Sequence, residues 1–239
     1  MDQRGTLIIV PALNEERSIP LVVKSLLDSN LDVLVIDDCS TDQTSQLARS
    51  LGARVLSLPL NLGVGGALRA GFRYAVDNGY ESVVQVDADG QHPIHQIPEL
   101  ESAALANDAQ LVIGSRFLGK NSTLTPSAAR RFSMWFLSVV ASRIAGTSLS
   151  DTTSGFRLIR EPLLSEFARN FPSYYLGDTY EATIAALRAG YRVIEVPADL
   201  SERAHGKSTA GPLRASLLIA KVLTIAIFGL HHNLKRYSE

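Results

Sequence analysis

The chain has 239 residues, 46% of them hydrophobic, enough to bury one full core or a core with an appendage but not two equal domains. Lys and Arg (23) nearly balance Asp and Glu (24), and the formal charge of −1 supplies no overall basic field, so no nucleic-acid partner is expected. The single cysteine, Cys39, excludes an internal disulfide and suits a reducing compartment, and no Cys/His cluster has zinc-like spacing.

Residues 1–10 lack a charged region followed by a long apolar run, which predicts no secretory leader; Thr6 to Val10 predicts a first strand instead. It runs into Pro11-Ala12-Leu13-Asn14-Glu15-Glu16, and apolar spacing from Ile19 to Leu27 predicts a helix with Ser18 at its cap. A second unit follows: Val33 to Ile36 as strand, Asp37-Asp38-Cys39-Ser40-Thr41-Asp42 at its end, then helix from Gln43 to Leu51. Arg54 to Leu58 predicts a third strand, followed by a Gly63 to Gly66 turn and a helix from Ala67 to Asn78. That turn is consistent with either a phosphate cradle or simple helix entry.

Ser82 to Val86 is β-branched and mostly apolar, as a strand covered on both faces would be, and polarity flips at Asp87. Asp87 and Asp89, separated by Ala88, share one face of an extended segment, and a turn at Gly90 lets Gln91 fold back towards them. Two anions that close require a cation. Carboxylate and amide oxygens suit Mg2+ or Mn2+, an ion that keeps positions open for substrate phosphates, so the implied ligand is a diphosphate. Taken alone, Asp-X-Asp fits a solvated acidic turn as well. A fifth strand, Ala109 to Gly114, leads into Ser115-Arg116-Phe117. Five alternating units predict an α/β fold: a mainly parallel sheet with helices on both faces, its ligands gathered at the carboxyl ends of the strands.

Beyond Phe117, Gly119 to Pro126 is polar and turn-rich, and Ser127 to Ala145 is helical in pattern, opening with Arg130 and Arg131 and carrying Trp135 and Phe136. A polar loop, Asp151 to Arg157, enters a strand through Arg160; helical segments follow near Pro162 to Ala168 and Asp178 to Ala189, and Tyr191 to Val196 is the last strand. Ser201 to Thr209 forms a basic loop with Arg203, His205 and Lys207. Pro212 to Tyr237 is apolar, yet Arg214, Lys221, Lys235, Arg236 and His232 fall on one side of a helix, and only Val222 to Leu230 is uninterrupted. A span needs about 20 apolar residues, so residues 211–239 are expected to lie on a membrane surface or against a membrane-anchored partner, with a helix packed on the core and a span as the alternatives, beside a catalytic domain at 1–210. The expected location is the cytoplasmic face of a membrane.

Four segments together, Pro11 to Glu16, Asp37 to Asp42, Asp87 to His92 and Gly114 to Phe117, resemble the inverting glycosyltransferases of family 2, with the nucleotide-sugar-binding GT-A fold. Asp151 to Arg157 and Arg203 to Ser208 narrow the resemblance to dolichyl- or polyprenyl-phosphate mannose and glucose synthases, over about residues 6–210. The resemblance implies that Pro11, Leu13, Glu15 and Asp38 hold the base and ribose of a donor such as GDP-mannose or UDP-glucose. Asp87, Asp89 and Gln91 would hold the metal on its diphosphate, with Ala88 in the same turn and Arg69 a minor donor-site candidate. Many relatives continue into two or more transmembrane helices, and the position of Leu13 is often aromatic.

If the acceptor is a polyprenyl or dolichyl phosphate, its oxygen is already anionic near neutral pH, with a second pKa of about 6, and no general base is required. Arg116, Arg131 and Arg203 are the leading acceptor-phosphate candidates, with Arg130 and Lys207 behind them, because guanidinium forks match phosphate. Transfer to a saccharide hydroxyl would instead demand a base, sought at Asp151 or Asp178. An aspartyl phosphohydrolase would carry its Asp-X-Asp on the first strand, and a dinucleotide-binding dehydrogenase would carry Gly-X-Gly-X-X-Gly where Pro11 to Glu16 stands. A non-catalytic nucleotide-sugar-binding module would be marked by loss of a carboxylate or phosphate arginine, and the motifs retain both.

Overall fold

The computed structural model describes residues 4–118, 137–144, 146, 148–171, 178–201, 234 and 237. In chain order the elements are β1 (Arg4–Ala12), α1 (Ile19–Asp28), β2 (Asp32–Asp37), α2 (Thr44–Ser50), β3 (Arg54–Ser57), α3 (Gly63–Asp77) and β4 (Tyr80–Gln85). A 3₁₀ turn (Ile94–Gln96) leads into α4 (Ile97–Ala106) and β5 (Leu111–Ser115). After α5 (137–144) come β6 (Arg157–Arg160), α6 (Leu163–Asn170), α7 (Asp178–Arg188) and β7 (Val193–Pro197).

Seven strands form one sheet in the order β3-β2-β1-β4-β6-β5-β7. Strands β1, β2, β3 and β4 pair in parallel, as do β5 and β7, in agreement with the βα alternation. Strand β6 runs the other way, antiparallel to both neighbours, with Gln85 opposite Arg157 on β4 and Ile113 opposite Arg157 on β5. The reversal matters for the site. The residues that lead into β6 arrive at the carboxyl ends of β4 and β5, where the strand-end acids lie.

Burial on both faces explains the unbroken apolar runs. Leu7, Ile8, Ile9 and Val10 are fully buried, and they alternate between two cores. Leu7 and Ile9 face Phe72 of α3 and Phe167 of α6; Ile8 and Val10 face Ile19, Val22, Val23 and Leu26 of α1 and Ile97 and Leu100 of α4. The 3-4 spacing in α1 places its four buried residues on one stripe. Phe72, Phe167 and Phe171 meet at centroid separations of 5.1–5.8 Å. Gly71 allows α3 to sit low on the sheet, since a Cβ there would come within 3.0 Å of Ile36 Cδ1.

Helix α3 begins at Gly63, four residues before the start that propensity suggests, with four residues of poor or β-branched helix-forming character in its first turn. The reason is tertiary and lies with Asp38, below. No helix among the described residues is long and apolar enough to cross a membrane. The amphipathic helix expected at 211–239 lies outside the described residues, apart from Leu234 and Tyr237. Tyr237 packs on Tyr191 at a centroid distance of 5.1 Å, and its N–H donates to the Ala189 carbonyl.

Gly114 on β5 supplies a test of how tightly the β6 entry loop is seated. A Cβ there would stand 2.5 Å from Phe156 Cδ1 and 3.0 Å from Ala198 Cβ. Gly114→Ala is expected to cost about 1–3 kcal/mol through overpacking. Urea unfolding should show a lower midpoint at unchanged slope.

Candidate active site

The donor half of the site is built from two loops that share hydrogen bonds. Asn14 sits in the left-handed region (φ 56°), and its N–H donates to Ser40 Oγ at 2.9 Å while its Oδ1 accepts the Thr41 N–H at 2.8 Å. Glu15 N–H donates to Thr44 Oγ1, also at 2.8 Å. Asp42, one residue before the N-cap Gln43 of α2, accepts the Thr44 N–H at 2.9 Å. Burial alone would raise the Asp42 carboxyl, but bonds from the Thr44 hydroxyl, Thr44 N–H and Glu16 N–H outweigh it and hold the pKa below the ordinary value. Ser18 occupies the cap position of α1 as expected, yet makes no cap bond; its hydroxyl donates to Glu15 Oε2 at 2.6 Å. Pro11, near the end of β1, and Leu13, just after it, are half-buried.

Asp38 closes this half from below. Its N–H donates to the Ala12 carbonyl at 2.9 Å, and its Oδ1 accepts the Leu62 N–H at 2.7 Å. The amides of Leu62 and Gly63 at the start of α3 thus serve the Asp38 carboxylate, which explains both the glycine-rich first turn and its early onset. Burial nevertheless dominates, and with the charge of Asp37 it holds the Asp38 carboxyl above the usual range. Arg69, one turn further along α3, donates to the Ala168 and Arg169 carbonyls at the C-terminal end of α6.

The acid turn follows β4. Asp87 N–H donates to His92 Nδ1 at 3.0 Å, which leaves the ring proton of neutral His92 on Nε2, 3.5 Å from Asp87 Oδ2. Gln85 Nε2 donates to the other oxygen, Asp87 Oδ1, at 3.2 Å. Side chains i and i+2 on a strand share a face, so this contact follows from the pleat. The Asp87 side chain is 38% exposed, whereas Asp89 is buried and its Oδ1 accepts the Gln91 N–H across the Gly90 turn at 3.1 Å. Gln91 Nε2 donates to the Ser201 carbonyl at 3.0 Å, tying the turn to the segment after β7. Gly155 lies against Asp87: a Cβ there would meet Oδ2 at 2.9 Å and Oδ1 at 3.2 Å. The absent side chain keeps the carboxylate face clear.

Across from these acids, the loop at 148–156 is held by charge. Arg116 forms a two-pronged ion pair with Asp151, Nε to Oδ2 at 2.6 Å and Nη2 to Oδ1 at 2.7 Å. The Asp151 side chain is 0% exposed and that of Arg116 15%. Burial would lower the guanidinium pKa, but the bond to Asp151 and the charges of Asp151 and Asp87 more than offset it and hold Arg116 protonated. Arg116 Nη2 also donates to Thr153 Oγ1 at 3.1 Å. Fully buried Arg157 donates to the Ser154 carbonyl and to the Thr179 carbonyl at the start of α7. Two buried polar atoms beside this loop, Gln85 Oε1 and Thr152 Oγ1, have no hydrogen-bond partner.

The strand-end architecture therefore brings Pro11, Leu13, Glu15, Asp38, Asp87, Ala88, Asp89, Gln91 and Arg116 to the carboxyl edge of the sheet. Arg130, Arg131, Arg203, Lys207, His205, Trp135 and Phe136 lie outside the described residues. The pairing of Arg116 with Asp151, the latch formed by Arg157 and the contacts of Gln85 and His92 with Asp87 were not expected from the chain. An arginine set between Phe156 and Leu158-Ile159, in an otherwise apolar run, was the available signal for the latch. Among the described residues no three His, Cys, Asp or Glu side chains converge to hold a metal ion. The clear face of Asp87 under Gly155 still fits a hard cation, provided that substrate oxygens and water complete its coordination.

Comparison with known proteins accords with this geometry. A family model described as Glycosyl transferase family 2 matches residues 7–167. An undecaprenyl-phosphate mannosyltransferase from Micrococcus luteus is 35% identical over 210 residues, covering 84% of this chain and 86% of that protein. A polyprenol monophosphomannose synthase from Mycolicibacterium smegmatis is 30% identical over 243 residues, covering 97% and 89%. The crystal structure of glucosyl-3-phosphoglycerate synthase from Mycobacterium tuberculosis with Mn2+, uridine diphosphate and phosphoglyceric acid matches with a TM-score of 0.71 at 23% identity, over 95% of this chain and 78% of that one. That likeness establishes the GT-A architecture.

Two stability tests follow from the charges. Arg116→Ala leaves a carboxylate buried without its partner and is expected to cost about 3–5 kcal/mol in urea unfolding. Asp38→Asn should behave oppositely. A carboxyl whose folded pKa lies above its unfolded 3.8 penalises the fold once ionised, so Asp38→Asn should stabilise the protein at pH 7. The gain should vanish below about pH 3.8, where the acid is neutral in both states.

Proposed function

This chain belongs to glycosyl transferase family 2, and within that family we propose that it moves a hexose from a nucleotide sugar to the phosphate of a polyprenyl or dolichyl phosphate. The observation that carries the proposal is the Arg116–Asp151 pair. A hydroxyl acceptor needs a base to take its proton; of the two carboxylates to look at, Asp151 has both oxygens occupied by the Arg116 fork, and the side chain of Asp178 lies outside the described residues. A phosphate monoester needs none, because it arrives ionised. The names of the two mannosyl-transferring relatives point to the same acceptor class.

In this reading the two zipped loops receive the nucleoside. Pro11 and Leu13 bound the base pocket, and Glu15 and Asp38 face the base and ribose. Both loops are held by backbone and side-chain bonds before any donor arrives, so little ordering entropy remains to be lost on binding. GDP-mannose and UDP-glucose are the donors to compare, since Leu13 offers no ring for stacking and leaves the base open.

Asp87 and Asp89 would hold a divalent cation, Mg2+ or Mn2+, with the amide oxygen of Gln91 as a third protein ligand. When bound, such an ion neutralises the charge that develops on the departing nucleoside diphosphate. The chain's own groups do the rest. Gln85 and His92 restrain the two oxygens of Asp87, and Arg116 brings a fully protonated guanidinium to the acceptor side. Arg131 and Arg203, with Arg130 and Lys207, are assigned to the acceptor phosphate from the motif alone. The arginines align the phosphate oxygen behind the anomeric carbon, and a single in-line displacement inverts that centre. A membrane-surface role for 211–239 would deliver the enzyme to its lipid.

Calorimetry should show cation-dependent binding of GDP or UDP that Asp89→Ala abolishes. Gly155→Ala, which forces the Asp87 carboxylate aside, should weaken it about tenfold with little change in fold. Incubation of GDP-mannose and UDP-glucose with a short polyprenyl phosphate should yield an inverted sugar-phosphate product, read by NMR. Binding that ignores the cation and Asp89, or transfer only to sugar hydroxyls, would overturn the proposal.

A further inference from the structure

The loop that presents Asp151 is itself held by an acid that none of the motifs contains. Glu195 stands in the interior of β7, opposite Ile113 of β5. Its Oε2 accepts the Ser150 N–H and the Ser150 hydroxyl, each at 2.7 Å, and its Oε1 accepts the Asp151 N–H at 2.6 Å. Ser150 Oγ lies 2.7 Å from Ser115 Oγ, at the end of β5 and next to Arg116. Glu195 therefore grips the backbone of Asp151 while Asp151 grips the fork of Arg116.

Two features separate this arrangement from ordinary loop support. Three donors converge on one side chain, and only a carboxylate accepts three without offering a hydrogen in return; Gln would turn an NH2 group towards one of them. Secondly, an acid placed behind Asp151 adds like charge near a buried carboxylate, an unfavourable choice for mere loop closure. Its benefit is directional. With the Ser150 and Asp151 amides fixed to β7, the Asp151 carboxylate can turn only about its own side-chain bonds, and Arg116 is aimed by it.

We infer that Glu195 is a positioning residue for transfer: through Ser150 and Asp151 it sets the direction of the Arg116 guanidinium at the acceptor side. This rests on the reading of Arg116 as a group on the acceptor phosphate. A small displacement of an aligning group costs up to about a hundredfold in rate. The donor loops, on the other side of the acid turn, do not touch Glu195 in any described contact.

The test compares wild type, Glu195→Gln and Ser150→Ala in transfer to a short polyprenyl phosphate, with donor affinity by calorimetry and hydrogen exchange at residues 150–151. Glu195→Gln should lower kcat/KM for the acceptor ten- to a hundredfold, leave donor Kd within twofold, and expose the Ser150 and Asp151 amides. Ser150→Ala, which keeps both backbone bonds to Glu195, should lose less than tenfold with the same pattern and covers the case in which Glu195→Gln fails to fold. In an Arg116→Lys background the Glu195 substitution should cost less than twofold, since its effect runs through the fork. Full acceptor activity in folded Glu195→Gln, an equal loss of donor affinity, or independent losses in the double variant would overturn the inference. If wild type transfers to no polyprenyl phosphate, the functional proposal fails on its own. Unchanged amide protection at 150–151 in Glu195→Gln would then refute the Glu195 claim separately, and lost protection would sustain its grip on the loop.

Discussion

The bidentate pair between Arg116 and Asp151 is the contact on which the rest of the catalytic edge depends. It joins the end of β5 to a loop residue 35 positions later, across a stretch of chain that offers no local reason for the two to meet. Taking both charges out of water is expensive, and the cost is met by two short bonds, a backbone N–H and the Thr153 hydroxyl gathered around the same carboxylate. With that loop in place, Gly155 lies on Asp87, Phe156 packs against His92 at 5.2 Å, and Arg157 latches Ser154 to α7. This edge of the sheet is thus organised by two largely buried arginines, Arg116 and Arg157, that turn away from bulk solvent.

Much of the architecture is legible in the chain because burial on two faces leaves a plain record. Val33 to Ile36 and Leu7 to Val10 have no polar interruption, and each is followed by acids or turn residues at the point where the strand leaves the core. The strand-end acids Asp38, Asp87 and Asp89 stand out for that reason. Strand β6 does not stand out in direction. Four residues, two of them arginines, carry no mark of whether they run with or against β4. The start of α3 was similarly hidden, since glycine propensity argues for a turn and only the Asp38 carboxylate, 24 positions earlier, supplies the reason for helix. Glu195 is one polar residue in the last strand and carries no mark of its own in the chain. Its role depends on three donors from a loop 44 and 45 positions upstream.

Local stability is given up at the strand ends around Asp87 and Asp151. Gln85 turns its amide nitrogen to Asp87 and leaves its oxygen buried without a donor, and Thr152 keeps a buried hydroxyl unmatched. Each such group costs on the order of 1–3 kcal/mol. Asp38 is held as a carboxyl that ionises reluctantly although an amide would fit the same bonds. By contrast, Glu166 on α6, away from the strand ends, is buried with a partner one turn away, Arg169 at 3.1 Å.

The reversed strand also dictates an order of assembly. Strands β4 and β5 each keep a row of backbone groups vacant on their facing sides until Arg157–Arg160 slides between them. A nascent chain that has emerged only as far as residue 150 can complete the β3-β2-β1-β4 half but holds two raw sheet edges in the middle of the future protein. Such edges are sticky to other chains, and because β5 also pairs with β7, the exposure closes only when Val193–Pro197 has followed Arg157–Arg160 out of the ribosome.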